Sequence, residues 1–207
     1  MGPDATKFVL EQTELITMAV SKDYVPKLAK MKIEDATTTK KMTGLANLVV
    51  FEADFGSDAH AEARALAAQA GLKIYTLDEV IAAGRKRVDR SEAEPLPTDH
   101  IAFSYTSGTT GDPKGVKLTH RMILSTVHAV NTRYGEDHAV THRDSYISYL
   151  PLAHSFEQAM FGLALTFGIK CGFFGGDILK LTEDIGVLRP TLFPSVPRLY
   201  NRIYGKI

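Results

Sequence analysis

YTSGTTGDPKGV, residues 105–116, is the stretch on which the reading of this chain turns. Thr106, Ser107, Thr109 and Thr110 stand among three glycines, Gly108, Gly111 and Gly115, and Pro113 and Lys114 close the run. Glycine admits positive φ and lets successive N–H groups face one concavity. The hydroxyls add rotatable donors, and Lys114 adds a compact positive charge. Such a loop suits a polyphosphate. It is not the Walker A pattern GxxxxGK[ST], because Lys114 sits between Pro113 and Gly115. Entered from IAFSY and left through VKLTH, it is also unlike a flexible Ser/Gly linker.

Working outward, strand and helix patterns alternate. LITMAV (15–20) and LANLVVFEA (45–53) read as buried strands rich in β-branched residues. Ser57 or Asp58 is expected to cap the Ala-rich segment that follows, and Gly71 to end it. KIYTL then leads into a short helix, DEVIAAG. Residues 85–99 are charged and carry Pro95 and Pro97, which marks a candidate internal boundary and leaves 100–207 as the phosphate-loop half. IAFSYT is a strand that runs directly into the loop. Beyond it, Met122, Ile123, Val127, Val130 and Tyr134 share a helical face, and DSYISYLP is a strand. Phe156, Met160, Leu163 and Phe167 form a second apolar helical face, in which Gly162 costs up to ~1 kcal/mol unless packing needs it. IKCGFF and TLFPSV are expected as strands, with a helix carrying Ile178, Leu181, Ile185 and Leu188 between them. A last helix starts near Pro197. The alternation predicts an α/β fold with a largely parallel sheet flanked by helices.

Composition narrows the function classes. The 207 residues are 44% hydrophobic and 23% charged, ordinary for a globular chain. Lys plus Arg and Asp plus Glu number 24 each, so no net field draws nucleic acid or anionic lipid. The lysines at 22, 27, 30, 32, 40 and 41 are broken up by Asp23, Glu34 and Asp35 and read as a solvated face. Cys171 is the only cysteine, which excludes an intrachain disulfide and favours a reducing compartment; it reads as a small buried hydrophobe. No apolar run reaches ~18 residues, and residues 1–20 show no secretory leader. His100, His120, His128, His138 and His142 have no metal-ligand spacing and are expected on the surface or at caps.

The loop YTSGTTGDPKG resembles the signature of the AMP-forming adenylating superfamily. SYLPLAHSFEQ (148–158) and FFGGDILKLTEDIGVLRPTLFPSVPRLYNRIY (173–204) are similar to the long-chain fatty acid–CoA ligases within it, and the opening GPDATKFVLEQTELITMAV resembles a segment of the same enzymes. The resemblance implies the large N-terminal domain of such a ligase. It implies ATP, Mg²⁺, a long-chain fatty acid and coenzyme A as partners, with no role for nucleic acid. The expected chemistry is attack of the fatty acid carboxylate on the α-phosphate, giving an acyl-adenylate and pyrophosphate, followed by displacement of AMP by the thiol of coenzyme A. On this resemblance Thr106, Ser107, Gly108, Thr109, Thr110, Gly111 and Lys114 cradle the phosphates, and Thr106 also offers a hydroxyl to Mg²⁺. Lys114 and His154 take the catalytic positions, His154 closing the site beside the acyl carboxylate as a positioning group rather than a general base. The implied location is the cytoplasm or the cytosolic face of an organelle membrane, endoplasmic reticulum or peroxisome, with membrane association of the parent open.

Two departures from that pattern stand out. The long-chain ligases place Arg after the Glu of this motif, whereas Glu157 is followed here by Gln158, which puts an ion pair on that helix in doubt. Val196 to Arg198 keep the apolar-Pro-Arg pattern. The later Thr-Glu motif, the ribose-binding Asp and the adenylation lysine of a small C-terminal domain do not occur. The expectation is therefore a partial AMP-binding domain over 1–207, incomplete at both ends, which by itself makes no acyl-CoA and binds ATP weakly. A stand-alone nucleotide- or acyl-binding module, and an adenylating enzyme for another carboxylic acid, are the alternatives.

Overall fold

The computed structural model describes residues 2–35, 44–87, 94–106, 113–134 and 139–205. The described residues form two compact units, one from 2–35, 44–87 and 113–114 and the other from 94–106, 115–134 and 139–205.

In the first unit, three strands pair in parallel and in chain order: β1 (Thr17–Val20), β2 (Asn47–Val50) and β3 (Lys73–Thr76). α1 (Pro3–Thr13) precedes them, α2 (Val25–Asp35) follows β1, and α3 (Ala61–Gln69) links β2 to β3. A core of Val20, Val25, Leu28, Leu48, Val50, Phe55 and Ala67 lies between strands and helices. Burial of Asp35 is made tolerable by Lys7 of α1, whose Nζ lies 3.2 Å from its carboxylate. Beyond the strand ends, Glu52 accepts from the Ser21 hydroxyl (2.6 Å) and the Lys22 N–H (2.9 Å), tying the exit of β1 to that of β2.

Gly71 ends α3 as expected. Its φ is +67°, and the amides of Gly71 and Leu72 close on the carbonyls of Ala68 and Ala67. The start of α3 differs from the expectation: Asp58–His60 forms a 3₁₀ turn, the helix begins at Ala61, and neither Ser57 nor His60 makes a side-chain cap. A cap the pattern did not single out lies further on. Thr76 accepts from the Glu79 N–H (3.2 Å) while the Glu79 carboxylate accepts from the Thr76 N–H (2.8 Å), a capping box opening α4 (Leu77–Arg85).

The second unit contains β4 (His100–Thr106), β5 (Lys114–Thr119, from Gly115 on), α5 (His120–Tyr134), β6 (Ser145–Ser148), α6 (Ser155–Phe167), β7 (Lys170–Phe173), α7 (Leu181–Leu188) and α8 (Pro197–Tyr204). β4 pairs with β5, a strand the sequence pattern did not identify, and β6 pairs in parallel with β7. Val127, Val140, Tyr146, Met160, Leu163, Ala164 and Ile169 make the core between α5, α6 and the β6–β7 pair, with half-buried Cys171 packed against it. Ile147, Tyr149 and Leu181 make a second cluster under α7.

Gly162 is where α5 and α6 meet. A Cβ there would lie 3.0 Å from Val127 Cγ2, a contact that Val127 would have to give way to, so the close approach of the two helices favours the missing side chain. Three expectations are corrected. TLFPSV is not a strand: Leu192 forms a single bridge with Tyr146, and Pro194, with no N–H, cannot extend a ladder. Met122 is 52% exposed rather than on the buried face of α5, and Ile178 lies in the turn before α7. In both cases a 3.6-residue period included one apolar residue too many.

Asp144 joins this bridge to the start of β6. Its carboxylate accepts from the Thr141 N–H (2.8 Å), the Thr191 hydroxyl (2.8 Å) and the Thr141 hydroxyl (3.3 Å). The Thr141 amide first, and the Thr191 hydroxyl second, hold its carboxyl below the usual carboxylate range. A depressed folded-state value adds stability that is present above the unfolded value of ~3.9 and is lost as pH falls through the lower folded value. Asp144→Asn should therefore lower stability by roughly 1 kcal/mol at neutral pH, the scale of an exposed charge-assisted hydrogen bond. Thermal unfolding by circular dichroism from about pH 6 to about pH 3 checks it, since the deficit of the variant should shrink toward the acid end.

Candidate functional site

β4 delivers the chain into the Gly- and Thr-rich loop. Thr106 is its last residue and is exposed; Lys114, also exposed, opens β5. Ser107, Gly108, Thr109, Thr110 and Gly111 lie outside the described residues. Gly115 has a packing reason to lack a side chain: a Cβ would stand 3.0–3.3 Å from the Tyr105 ring, which lies across it. Ser104 Oγ donates to the Ala153 carbonyl at 3.2 Å. Side chains two apart share a strand face, so Thr106 and Ser104 point the same way, and the exit of β4 lies beside the turn that carries His154.

That turn follows β6. The His154 N–H donates to the Pro151 carbonyl (2.8 Å), and the His154 carbonyl accepts from the Gln158 N–H (3.1 Å). His154 is the N-cap of α6, with extended backbone, and its Nδ1 accepts from the Phe156 N–H at 3.2 Å. An accepting Nδ1 carries no proton, so the proton of the neutral ring is on Nε2, a donor on an exposed side chain at the positive end of a helix. The arrangement suits a hydrogen bond to an anionic oxygen.

Glu157, in the first turn of α6, is 1% exposed. Its Oε1 accepts from the Ser148 hydroxyl at 2.5 Å and lies 3.4 Å from the Tyr146 hydroxyl, while Oε2 has no hydrogen-bond partner among the described residues. Burial first, and the hydrogen bond with Cys171 second, push the Tyr146 phenol well above its ordinary value. Gln158, which stands where the long-chain ligases place Arg, is half-buried, and the one acidic side chain of α6, Glu157, is buried.

Alongside α6 lies a cavity of about 680 Å³, within the range of ligand pockets. Phe156 and Met160 of α6, Val130 and Arg133 of α5, Leu192–Ser195 and Tyr200 of α8 line it. The 192–195 wall is held by Tyr149 Oη to Ser195 Oγ (2.7 Å) and by Tyr200 Oη donating to the Phe193 carbonyl (2.6 Å). Periodicity assigned Phe156 and Met160 to an apolar face without showing that the face borders a void. Among the described residues no cluster of three His, Cys, Asp or Glu could hold a metal ion.

A family model described as "AMP-binding enzyme" matches residues 1–206. Human long-chain-fatty-acid–CoA ligase 1 is 36% identical over 207 residues, which cover 100% of this chain and 28% of that protein. The peroxisomal long chain acyl-CoA synthetase 7 of Arabidopsis thaliana is 36% identical over 209 residues, covering 100% of this chain and 27% of that protein. The chain thus spans less than a third of the length of the curated relatives it matches. Among solved structures, the A-PCP didomain of carboxylic acid reductase from Segniliparus rugosus, in complex with AMP, superposes with TM-score 0.75 at 26% identity, covering 99% of this chain and 28% of that one. The adenylation domain of a Mycobacterium chelonae carboxylate reductase gives TM-score 0.77 at 21% identity over 100% of this chain and 31% of its own, a likeness of fold.

The cap role of His154 can be separated from any chemistry. His154→Ala should cost roughly 0.5–2 kcal/mol of α6 stability, and His154→Asn, which restores a capping oxygen, only a small part of that. Hydrogen exchange at the Phe156 and Glu157 amides reads the difference; equal protection in both variants would show that the Nδ1 contact carries no stability.

Proposed function

The chain belongs to the AMP-binding enzyme family, and on that premise we propose that the whole protein activates a long-chain fatty acid with ATP and passes the acyl group to coenzyme A, releasing AMP and pyrophosphate. A carboxylate is a poor acyl donor because its oxygen is a poor leaving group. Attack of that oxygen on the α-phosphorus expels pyrophosphate and leaves a mixed anhydride, whose AMP a thiolate then displaces. The protein has to align carboxylate and phosphorus and to offset charge on the phosphates.

The observation that carries this reading is the Ser104–Ala153 hydrogen bond, which sets the exit of β4 beside His154. On this reading the loop from Thr106 through Ser107, Gly108, Thr109, Thr110 and Gly111 to Lys114 cradles the β- and γ-phosphates. Lys114 offsets charge on the departing pyrophosphate. His154 donates from Nε2 to an oxygen of the acyl carboxylate or the adenylate and holds it in line; with Nδ1 engaged by the helix, it is not the general base. Mg²⁺ that travels with ATP needs only one or two protein oxygens, and the exposed Thr106 hydroxyl fits that requirement. When bound, the ion supplies further charge neutralisation at the phosphates. The cavity beside Phe156 and Met160 receives the hydrocarbon tail.

Coenzyme A rather than a reductive fate for the acyl group is supported by the 36% identity to CoA ligases, against 26% to the carboxylic acid reductase. A location on the cytosolic face of an organelle membrane, peroxisome included, accords with the peroxisomal relative. No described helix is long and apolar enough to cross a membrane.

The full-length protein should turn over ATP, palmitate and coenzyme A to AMP, pyrophosphate and palmitoyl-CoA. Release of ADP and phosphate instead would mean acyl-phosphate chemistry and sink the assignment. Lys114→Ala and Thr106→Ala should each slow acid-dependent ATP–pyrophosphate exchange by about 10–150-fold, the cost of one hydrogen bond to a charged group. His154→Asn should lose exchange although its helix cap survives. Wild-type exchange in all three variants would refute the placement of the site.

A further inference from the structure

Glu157 is a carboxylate that stability alone does not explain. It is 1% exposed, one of its oxygens has no hydrogen-bond partner among the described residues, and an apolar side chain would fill the same space at lower desolvation cost. Nor does it act as a cap. A Glu at the third helical position ordinarily reaches back to the N-cap N–H, but that of His154 is already committed to the Pro151 carbonyl. The Glu157 side chain turns inward instead and binds the last residue of β6, Ser148, and the Tyr146 hydroxyl two residues before it.

This closes a ring. Residues 149–156 leave β6 at Ser148 and enter α6, and the Ser148–Glu157 hydrogen bond joins the two ends of that excursion. His154 sits inside the ring, and its imidazole is fixed by a backbone N–H, that of Phe156, which belongs to the same anchored first turn. The carbonyl of Ala153, the neighbour of His154, is held by Ser104 from the other side. The position and rotamer of His154 therefore depend on where the first turn of α6 is pinned, and the pin is Glu157.

We propose that Glu157 is a positioning residue for acyl-adenylate formation, acting through His154 by locking the first turn of α6 to the end of β6. This rests on the placement of His154 at the reacting carboxylate given above. Loss of the pin lets the imidazole drift, and a displacement of about 1 Å in a positioning group can cost about 10²-fold in rate.

The test uses the full-length protein. Glu157→Ala should lower kcat for acid-dependent ATP–pyrophosphate exchange by about 10²-fold with KM for ATP little changed. Glu157→Gln, whose amide oxygen can accept from both hydroxyls, should recover most of that loss. Ser148→Ala, a milder change that keeps the carboxylate, should move kcat in the same direction, and it decides the matter if Glu157→Ala does not fold. The coupling measurement is the sharpest: in a His154→Ala background, Glu157→Ala should have no further effect on kcat. Multiplicative losses in the double variant, or equal losses in kcat and in folded fraction, would make Glu157 merely structural and overturn the proposal. A second readout needs no turnover. With ¹⁵N-labelled histidine, the signal of His154, assigned by its absence in His154→Ala, should show an unprotonated Nδ1 in the wild type and an averaged tautomer mixture in Glu157→Ala. An unchanged tautomer signature in Glu157→Ala would overturn the proposal as well. If the wild-type protein adenylated no carboxylic acid, the functional reading would fall, while this spectrum would still decide whether Glu157 holds His154.

Discussion

Parallel pairing is the constraint from which the rest follows. Two parallel neighbours cannot be joined by a tight turn; the chain must leave one strand at its carboxyl end and return across a sheet face before pairing again. For β6 and β7 the return is made by α6, which fixes three things at once. The turn after β6 has to lie at the carboxyl edge, the N-terminus of α6 has to open from that turn, and the apolar face of α6 has to pack on the pair it connects. The carboxyl edge of an open parallel sheet is also where ligands bind, because loops and helix N-termini converge there. His154 occupies that place, at the junction of turn and helix.

The legible parts of the sequence were those where one residue type satisfies one local rule. Gly71 needs positive φ, Pro197 sits at the first position of α8, and β-branched runs marked β1 and β2. The misses share a different cause. α3 begins three residues late because a 3₁₀ turn intervenes, and its N-terminal amides compete for partners that a list of capping residues does not show. TLFPSV has strand composition, but a ladder is a property of two segments, and Pro194 leaves room for one bridge only. Lys114–Thr119 reads as a strand only once β4 is beside it. Gly162 could be identified as costly in isolation; the Val127 methyl that it makes room for could not.

The same division applies to the proposed site. Thr106, Lys114 and His154 could be named as candidates because their residue types sit in a recognisable order along the chain. Glu157 was visible as an acidic residue but not as a buried one, since burial of a charge depends on Ser148 and Tyr146 being placed opposite it by the β6–α6 turn. The cavity was not visible at all. A void is defined by walls from four separate segments, α5, α6, residues 192–195 and α8, and no periodicity within one of them encodes the distance to the others.

α6 also shows how one element can meet an amphipathic ligand. A fatty acid presents a charged head and a hydrocarbon tail, which need opposite environments. The N-terminus of a helix offers unpaired amides and a positive dipole end, favourable to an anion within the first turn. The side of the same helix, two turns long by then, can be wholly apolar. In α6 the proposed function gives the first role to the His154 cap and the second to Phe156 and Met160, four residues apart and hence on one face toward the cavity. On the proposed function, head and tail sites are thereby held in a fixed relation by a rigid element rather than by a loop, and the helix is itself fixed by Glu157, bound to β6, and by Gly162, which allows α5 to close in. A buried carboxylate is costly at that point. It stands where the helix must not slide along the strand, and a directional hydrogen bond resists sliding in a way that apolar contacts, which are nearly indifferent to register, do not.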